Sequence, residues 1–400
     1  MPRGNQEEAN ELRKLETAVI NLERFLIDVC EKTEAEKLSK DLVYKKLGIY
    51  KNPPKERLAE NAELEFFEVL EKYASLKSDS IWVYKRLMVL KRALQRFELY
   101  KRATGYPHYR IKLNDLDVDD INQFERFLRS EHELYTKYPK IYTEAPADTR
   151  KTRKKPKPEP KGDNTIINLF GNLRAFYHWC NKQGLSSNEP FAKYTGKTTE
   201  KYGTPNYITI DERDLIADFD LSANPSLAVQ RDIFIFQCLI GCRVSDLMSM
   251  TPESVIDDAV EYMPQKTKTD RPQVVRVPLN SRAKALVEKY KDNTDCKSRL
   301  FPFISSQKYN VAIKNIFTLC GVTRLVTVLN PTTGKEEKRP INELASSHLA
   351  RRTFIGNLYR KVKDPILVGS LSGHAEGSKA FARYRTIDDE MKRELVNLID

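Results

Sequence analysis

The sequence predicts a mainly α-helical, multi-domain chain in which an all-helical unit precedes a mixed α+β unit carrying a small β-hairpin or sheet. Three observations lead there. Apolar residues recur at three- and four-residue steps through most of the first half, the period of an amphipathic helix. Two short β-rich runs, Val260-Glu261-Tyr262-Met263 and Val274-Val275-Arg276-Val277, flank a polar stretch and read as a hairpin. Finally, 400 residues at 40% hydrophobic content exceed what one core holds and leave no shortage of apolar material.

The charge balance narrows the partner. Lys and Arg number 68 against 56 Asp and Glu, a net +12 that suits a polyanion such as nucleic acid. Residues 1–77 hold 14 basic and 16 acidic groups, so the rest of the chain carries +14 and the opening segment is a poor phosphate-binding surface. Cys30, Cys180, Cys238, Cys242, Cys296 and Cys320 show no C-x-x-C step and no nearby histidines, which argues against zinc and against a disulfide framework. A reducing cytoplasm is the expected home. No apolar run approaches the ~18–20 residues of a membrane span, and the start MPRGNQEEAN is no signal peptide, so a soluble, unprocessed protein without a membrane partner is expected.

In chain order, Leu12, Leu15, Val19, Leu22, Leu26 and Val29 mark a first helix, stopped by Asn52-Pro53-Pro54, and Ala62–Tyr73 forms a second. Residues 1–77 are therefore a helical segment without an assigned role. A longer helix starts near Ser78, Asp79 or Ser80 and buries Val83, Leu87, Leu90, Leu94 and Phe97, ending at Gly105-Tyr106-Pro107. Its other positions include Lys85, Arg86, Lys91, Arg92, Arg96, Lys101 and Arg102, with Glu98 the only acid from Ile81 to Arg102. Such a face is either merely solvated or DNA-binding, and Lys85, Arg86, Lys91 and Arg92, together with Lys268 further along the chain, are the candidate DNA contacts.

Asp115, Asp117, Asp119 and Asp120 favour the N-terminus of a helix carrying Ile121, Phe124, Phe127 and Leu128. Tyr135–Gly162 reads as irregular, with a basic, proline-broken insert at 144–163. Asn164–Gln183 resumes helix, with Ile166, Leu169, Leu173, Phe176, Tyr177 and Cys180 inward and Gly184 as terminator. Residues 78–190 thus form a helical domain, 191–206 a linker, and 207–400 the larger unit.

The chemistry concentrates in that larger unit. Arg243 lies in the apolar run FIFQCLIGCRVSDLMSM and needs a counter-charge, which Asp246 supplies on the same face if the helix continues. Lys266 and Lys268 occupy the hairpin tip. Ser346 or Ser347 caps a helix bearing His348 and Arg351 one turn apart. Asp364-Pro365 opens a short helix that Gly373 closes, setting His374 on its C-terminal shoulder. Tyr384 follows ten residues later, and 386–400 reads as an amphipathic helix with Ile387, Met391, Leu395 and Leu398 apolar. Two guanidinium forks, a lysine, two imidazoles and a phenol are together a toolkit for phosphoryl transfer: clamp, proton donor, proton shuttle and nucleophile.

In order and spacing, G-C-R-V-S-D-L, Q-K-T-K-T with V-R-V-P-L, H-L-A-R-R-T-F, L-S-G-H and F-A-R-Y resemble the tyrosine recombinase, or phage integrase, family over about residues 78–400. The resemblance implies a SAM-like helical core-binding domain and a mixed α+β tyrosine-recombinase catalytic domain. It implies that Tyr384 attacks a DNA phosphate to form a 3′-phosphotyrosyl link, that Arg243 and Arg351 clamp the non-bridging oxygens, and that Lys266 protonates the leaving 5′-oxygen, with Lys268 a competitor for that role. His348 would assist proton transfer, His374 would hold the phosphate, and Asp246 would order the site. No metal or other cofactor is implied. The expected activity is that of a mobile-element integrase acting on double-stranded DNA. It would work as a synaptic tetramer joined through the terminal helix 386–400, in a nucleoid-associated cytoplasmic location. A type IB topoisomerase and a non-catalytic DNA-binding regulator are the alternatives, and accessory DNA-bending proteins remain open as partners.

Overall fold

The computed structural model describes residues 65–144, 157–266, 273–362, 364–374 and 379–385, with isolated positions in 15–47 and at 396, 397 and 399. Leu12, the Asn52-Pro53-Pro54 stop, most of the basic insert, Lys268 and nearly all of the terminal segment 386–400 lie outside the described residues, whereas Leu15, Val19, Leu22, Leu26 and Val29 of the first expected helix are described and helical. Among those described, no helix is long and apolar enough to cross a membrane.

The chain divides into two compact units, one of residues 1–161 and 165–198, the other of 162–164 and 199–400. The first is helical: α1 (Phe66–Ser75), α2 (Ile81–Ala103), α3 (Val118–Lys137), α4 (Pro139–Glu144) and α5 (Asp163–Lys182). Ser80 occupies the N-cap of α2 without a side-chain capping bond, whereas the Asp117 carboxylate accepts the Asp120 N–H and caps α3. All six apolar residues expected to face inward from α5 are buried, and Gly184 beyond it adopts φ +72°.

The structure corrects three expectations here. Phe66, Val69, Leu70, Tyr73 and Ala74 of α1 lie inside the helical core, with the Phe66 ring edge-on to Phe176 at 5.5 Å, so a domain edge at 77/78 cuts through packed side chains. Tyr135–Gly162 is not wholly irregular, because α3 runs to Lys137 and α4 buries Ile141 and Tyr142. The basic face of α2 is also not simply solvated. Lys91 pairs with Glu71, Arg96 with Glu131 at 2.5 Å, Arg102 with Glu98, and Lys101 is buried between Gln123 and the rings of Tyr106 and Tyr109. The acids that α2 lacks arrive largely from neighbouring helices. Lys85 and Arg86 remain exposed at its N-terminal end.

The second unit is built around α7 (Pro225–Ile240), which packs against α6 (Ile210–Asp218), α9 (Ser281–Tyr290), α10 (Ser306–Leu319) and α12 (Ser347–Val362). Residues 233–240 of α7 are all buried, as a helix covered on every side requires. Thr209 and Glu212 form a reciprocal capping box at α6. A three-stranded antiparallel sheet holds β1 (Val255–Ile256), β2 (Ala259–Tyr262) and β3 (Val275–Pro278), with Val260 opposite Val277. A second hairpin, β4 (Leu325–Leu329) and β5 (Glu336–Pro340), was not anticipated from the sequence. The short helix α11 (Ile341–Leu344) leads into α12, and α13 (Pro365–Ser372) and α14 (Lys379–Ala382) complete the unit.

If α1 is part of the helical core, Phe66→Ala should destabilise the first unit by about 3–5 kcal/mol, the range for a fully buried phenylalanine. Denaturant unfolding followed through this unit checks it, and a loss below ~1 kcal/mol would place α1 outside the core.

Candidate active site

Five elements of the second unit bring the site together. Helix α7 ends at Gly241, which takes φ +68° and whose absent Cβ would lie 2.2 Å from the Phe354 ring, so both backbone sign and space require glycine. The helix therefore does not continue. Arg243 instead sits at the N-cap of the one-turn helix α8 (Val244–Leu247), and its Nη1 lies 4.0 Å from Asp246 Oδ2. The expected Arg243–Asp246 partnership is present, but across a turn and not along a continued helix. Asp246, 1% exposed, has its Oδ1 occupied by the Gln265 N–H at 3.0 Å. The carboxylate thus clips the segment bearing Lys266 to the turn bearing Arg243, while Arg243 Nη1 and Asp246 Oδ2 have no hydrogen-bond partner among the described residues.

Two further bonds fix the turn. Tyr309 Oη donates to Gln237 Oε1 at 3.2 Å, and Gln237 Nε2 donates to the Cys242 carbonyl at 3.1 Å. Arg351, on α12, donates Nη1 to the Gly241 carbonyl at 2.8 Å. It is 2% exposed, and its Nη2 lies 3.2 and 3.3 Å from the two ring nitrogens of His374. His374 stands behind the left-handed cap Gly373, with its backbone N–H on the Gly369 carbonyl and its ring edge-on to Phe381. Tyr384 lies in the 3₁₀ turn Arg383–Arg385, half-buried against the core.

The structure brings Arg243, Asp246, His348, Arg351, His374 and Tyr384 into one neighbourhood. Lys266 is exposed in the turn that follows β2, and its charge is felt at His374. Sequence reasoning missed Arg352, whose side chain hydrogen-bonds the Tyr384 phenol. The doubled arginine of A-R-R-T-F was its only signal, and neighbours on a helix point about 100° apart, so one active-site arginine does not predict the next.

The electrostatics are dominated by cations. Burial holds Arg351 down to about 10, aided by Arg243, so it remains charged at neutral pH. Burial and then Arg351, Arg243, His348 and Lys266 push His374 down to about 3. Desolvation and then Arg352, Arg351, Arg243 and Arg383 push His348 below its ordinary value, and solvent at its exposed surface screens part of that push. Desolvation raises Tyr384, while Arg352, Arg351 and Arg383 oppose the rise by favouring the phenolate. The set can seat an anion of phosphate geometry against a phenol held among guanidiniums.

No protein-family model matches the sequence, and no curated protein matches it. Solved structures do match the fold. A lambda integrase dimer bound to a COC′ core site is 13% identical, covers 88% of this chain and 86% of its own, and gives a TM-score of 0.54. XerH site-specific recombinase bound to palindromic difH substrate, in a post-cleavage complex, is 14% identical over 94% of both chains at 0.51. The Tn1549 transposon integrase in complex with a circular intermediate DNA is 11% identical over 84% of this chain and 99% of its own at 0.50. A lambda integrase tetramer bound to a Holliday junction also matches at 0.50. The chain therefore has the tyrosine recombinase fold.

The depressed His374 has a stability consequence. Its folded value lies below the ordinary 6.5, so its contribution is complete above pH 6.5 and is lost as pH falls toward about 3, where the unfolded chain binds the proton first. His374→Gln should therefore flatten the decline in unfolding free energy between pH 6.5 and 4, measured by denaturant titration; an unchanged slope would contradict a neutral buried imidazole.

Proposed function

We propose that this protein is a site-specific DNA recombinase, the integrase of a mobile element, which cleaves and rejoins strands through a tyrosyl–DNA intermediate. The observation that carries the reading is the half-buried Tyr384 phenol bonded to Arg352 and close to Arg351, whose other partners are the Gly241 carbonyl and His374. Nothing in a purely DNA-binding surface calls for a nucleophile surrounded by guanidiniums. The DNA-bound state of the lambda, XerH and Tn1549 proteins supports the same reading.

In the cleavage step, the Tyr384 oxygen attacks phosphorus and its proton leaves toward His348, neutral and solvent-accessible, or toward solvent. The P–O5′ bond breaks, and Lys266, at the hairpin end, gives the departing oxygen a proton. Arg243 and Arg351 stabilise the added charge on the non-bridging oxygens. Asp246 keeps Arg243 and the Lys266 segment in register. The phosphotyrosyl bond conserves the phosphodiester energy for the return attack by a 5′-hydroxyl. Assembly as a tetramer accords with the lambda tetramer on its junction, and the terminal segment 386–400 is the proposed link between neighbours. Lys85 and Arg86, exposed on α2, are the proposed DNA-backbone contacts of the helical unit, with Arg92 and Lys91 beside them.

A duplex with the crossover sequence and a nick beside the scissile phosphate should trap a covalent protein–DNA adduct, resolved by denaturing electrophoresis. Tyr384→Phe should form none while retaining DNA affinity within a few-fold. Adduct formation by Tyr384→Phe would remove the assigned nucleophile. Arg243→Lys, which loses the two-pronged grip, should slow adduct formation by about 10²–10³-fold, as for loss of a transition-state donor; a rate within three-fold of wild type would remove Arg243 from the clamp.

A further inference from the structure

His374 has a second neighbour that the strand-transfer reading does not use. Ser372, the last residue of α13, is fully buried, and its Oγ lies 2.9 Å from His374 Nδ1. The same Oγ lies 2.8 Å from the Val368 carbonyl and 3.3 Å from that of Gly369. The 2.8 Å approach to the Val368 carbonyl is the i−4 back-bond that a helical serine makes, and it takes the hydroxyl's one proton. Toward His374 the oxygen can therefore only accept. Arg351 Nη2, 3.2 and 3.3 Å from the two ring nitrogens, lies on the lone-pair axis of neither and so does not choose between them. The Ser372 contact therefore selects the ring form in which Nδ1 carries the proton and Nε2 is bare.

We propose that Ser372 is a positioning residue that sets the tautomer of His374, holding Nδ1–H on its own oxygen and leaving Nε2 bare. Resting on the strand-transfer reading, a mechanistic consequence follows. A bare Nε2 cannot donate to a phosphate oxygen, so His374 must take a second proton from solvent when the phosphate arrives and return it on release. The groups facing the ring are Arg351 and His348 from α12, Arg243 from the 241–247 turn and Lys266 from the hairpin, with Phe381 of α14 at its edge. All the charged ones oppose that proton in the empty site, and an anion seated among them reverses the balance. Ser372 favours the doubly protonated ring, because it already accepts from Nδ1. Without the hydroxyl, the neutral ring is free to hold its proton on Nε2 and the cation has an unsatisfied Nδ1–H.

Long-range ¹H–¹⁵N spectra of the imidazoles in the full chain at pH 7 test the tautomer without DNA, with the His374 signals identified by their loss in His374→Gln. The wild type should show a protonated Nδ1 and an unprotonated Nε2. Ser372→Ala should move the proton to Nε2, and Ser372→Thr should restore the wild-type pattern. A wild-type Nε2–H tautomer, or identical spectra for wild type and Ser372→Ala, overturns the proposal. With nicked DNA, Ser372→Ala should shift the basic limb of the adduct-formation profile to lower pH with affinity unchanged; an unshifted limb overturns the protonation step. Absence of any adduct with wild-type protein would instead sink the strand-transfer reading and leave the tautomer result standing.

Discussion

A guanidinium buried to 2% exposure without a bonded carboxylate among the described residues is the constraint around which the second unit is organised. Arg351 spends one Nη on the Gly241 carbonyl and the other on a neutral imidazole. Arg243 stands beside it with a buried Nη1 that no described residue satisfies. Burying like charges together costs several kcal/mol per ion unless a counter-charge comes close. Asp246 is the nearby acid, yet it is 4.0 Å from Arg243 and occupied by a backbone N–H. The deficit is one negative charge of the right shape, and a phosphodiester oxygen pair has that shape.

The surrounding fold holds this unstable arrangement still. Gly241 breaks α7 so that the next residues turn back under α12, and the Tyr309–Gln237 pair and Arg351 pin two successive carbonyls of that turn. Gly373 does the same for His374, in a corner where a Cβ would come 3.0 Å from Val275 Cγ2 of β3 and 3.3 Å from Pro264. Preorganisation of this kind means the donors need not reorient as charge develops on phosphorus. The nucleophile is the exception. Tyr384 is carried by one 3₁₀ turn and held through Arg352, so it comes from the least regular part of the site.

Most of this was legible because it depends on local rules. The caps at Asp117 and Asp364, the Gly373 stop and the inward stripe of α5 follow from short-range periodicity and hydrogen-bonding chemistry, and the structure contains each of them. Long-range pairing was not legible. Nothing near Lys91, Arg96 or Lys101 in sequence announces Glu71, Glu131 or Gln123, so a helix face that reads as free positive charge turns out largely neutralised. The β4–β5 hairpin escaped because Glu336–Pro340 is charged and ends in proline, which hides a strand whose pattern is not alternating apolar. In the site, the constellation of residue types was readable, but the backbone break that separates Arg243 from α7 and the bond from Arg352 to the phenol both depend on tertiary contacts.

The central claim is that this cation cluster exists to direct one phenol onto a DNA phosphate. Digestion of a trapped covalent complex with protease and nuclease, followed by mass spectrometry of the nucleotide-bearing peptide, tests it most directly. The account predicts a residual nucleotide on Tyr384. A nucleotide on any other of the 19 tyrosines, or on a residue of another type, would contradict it.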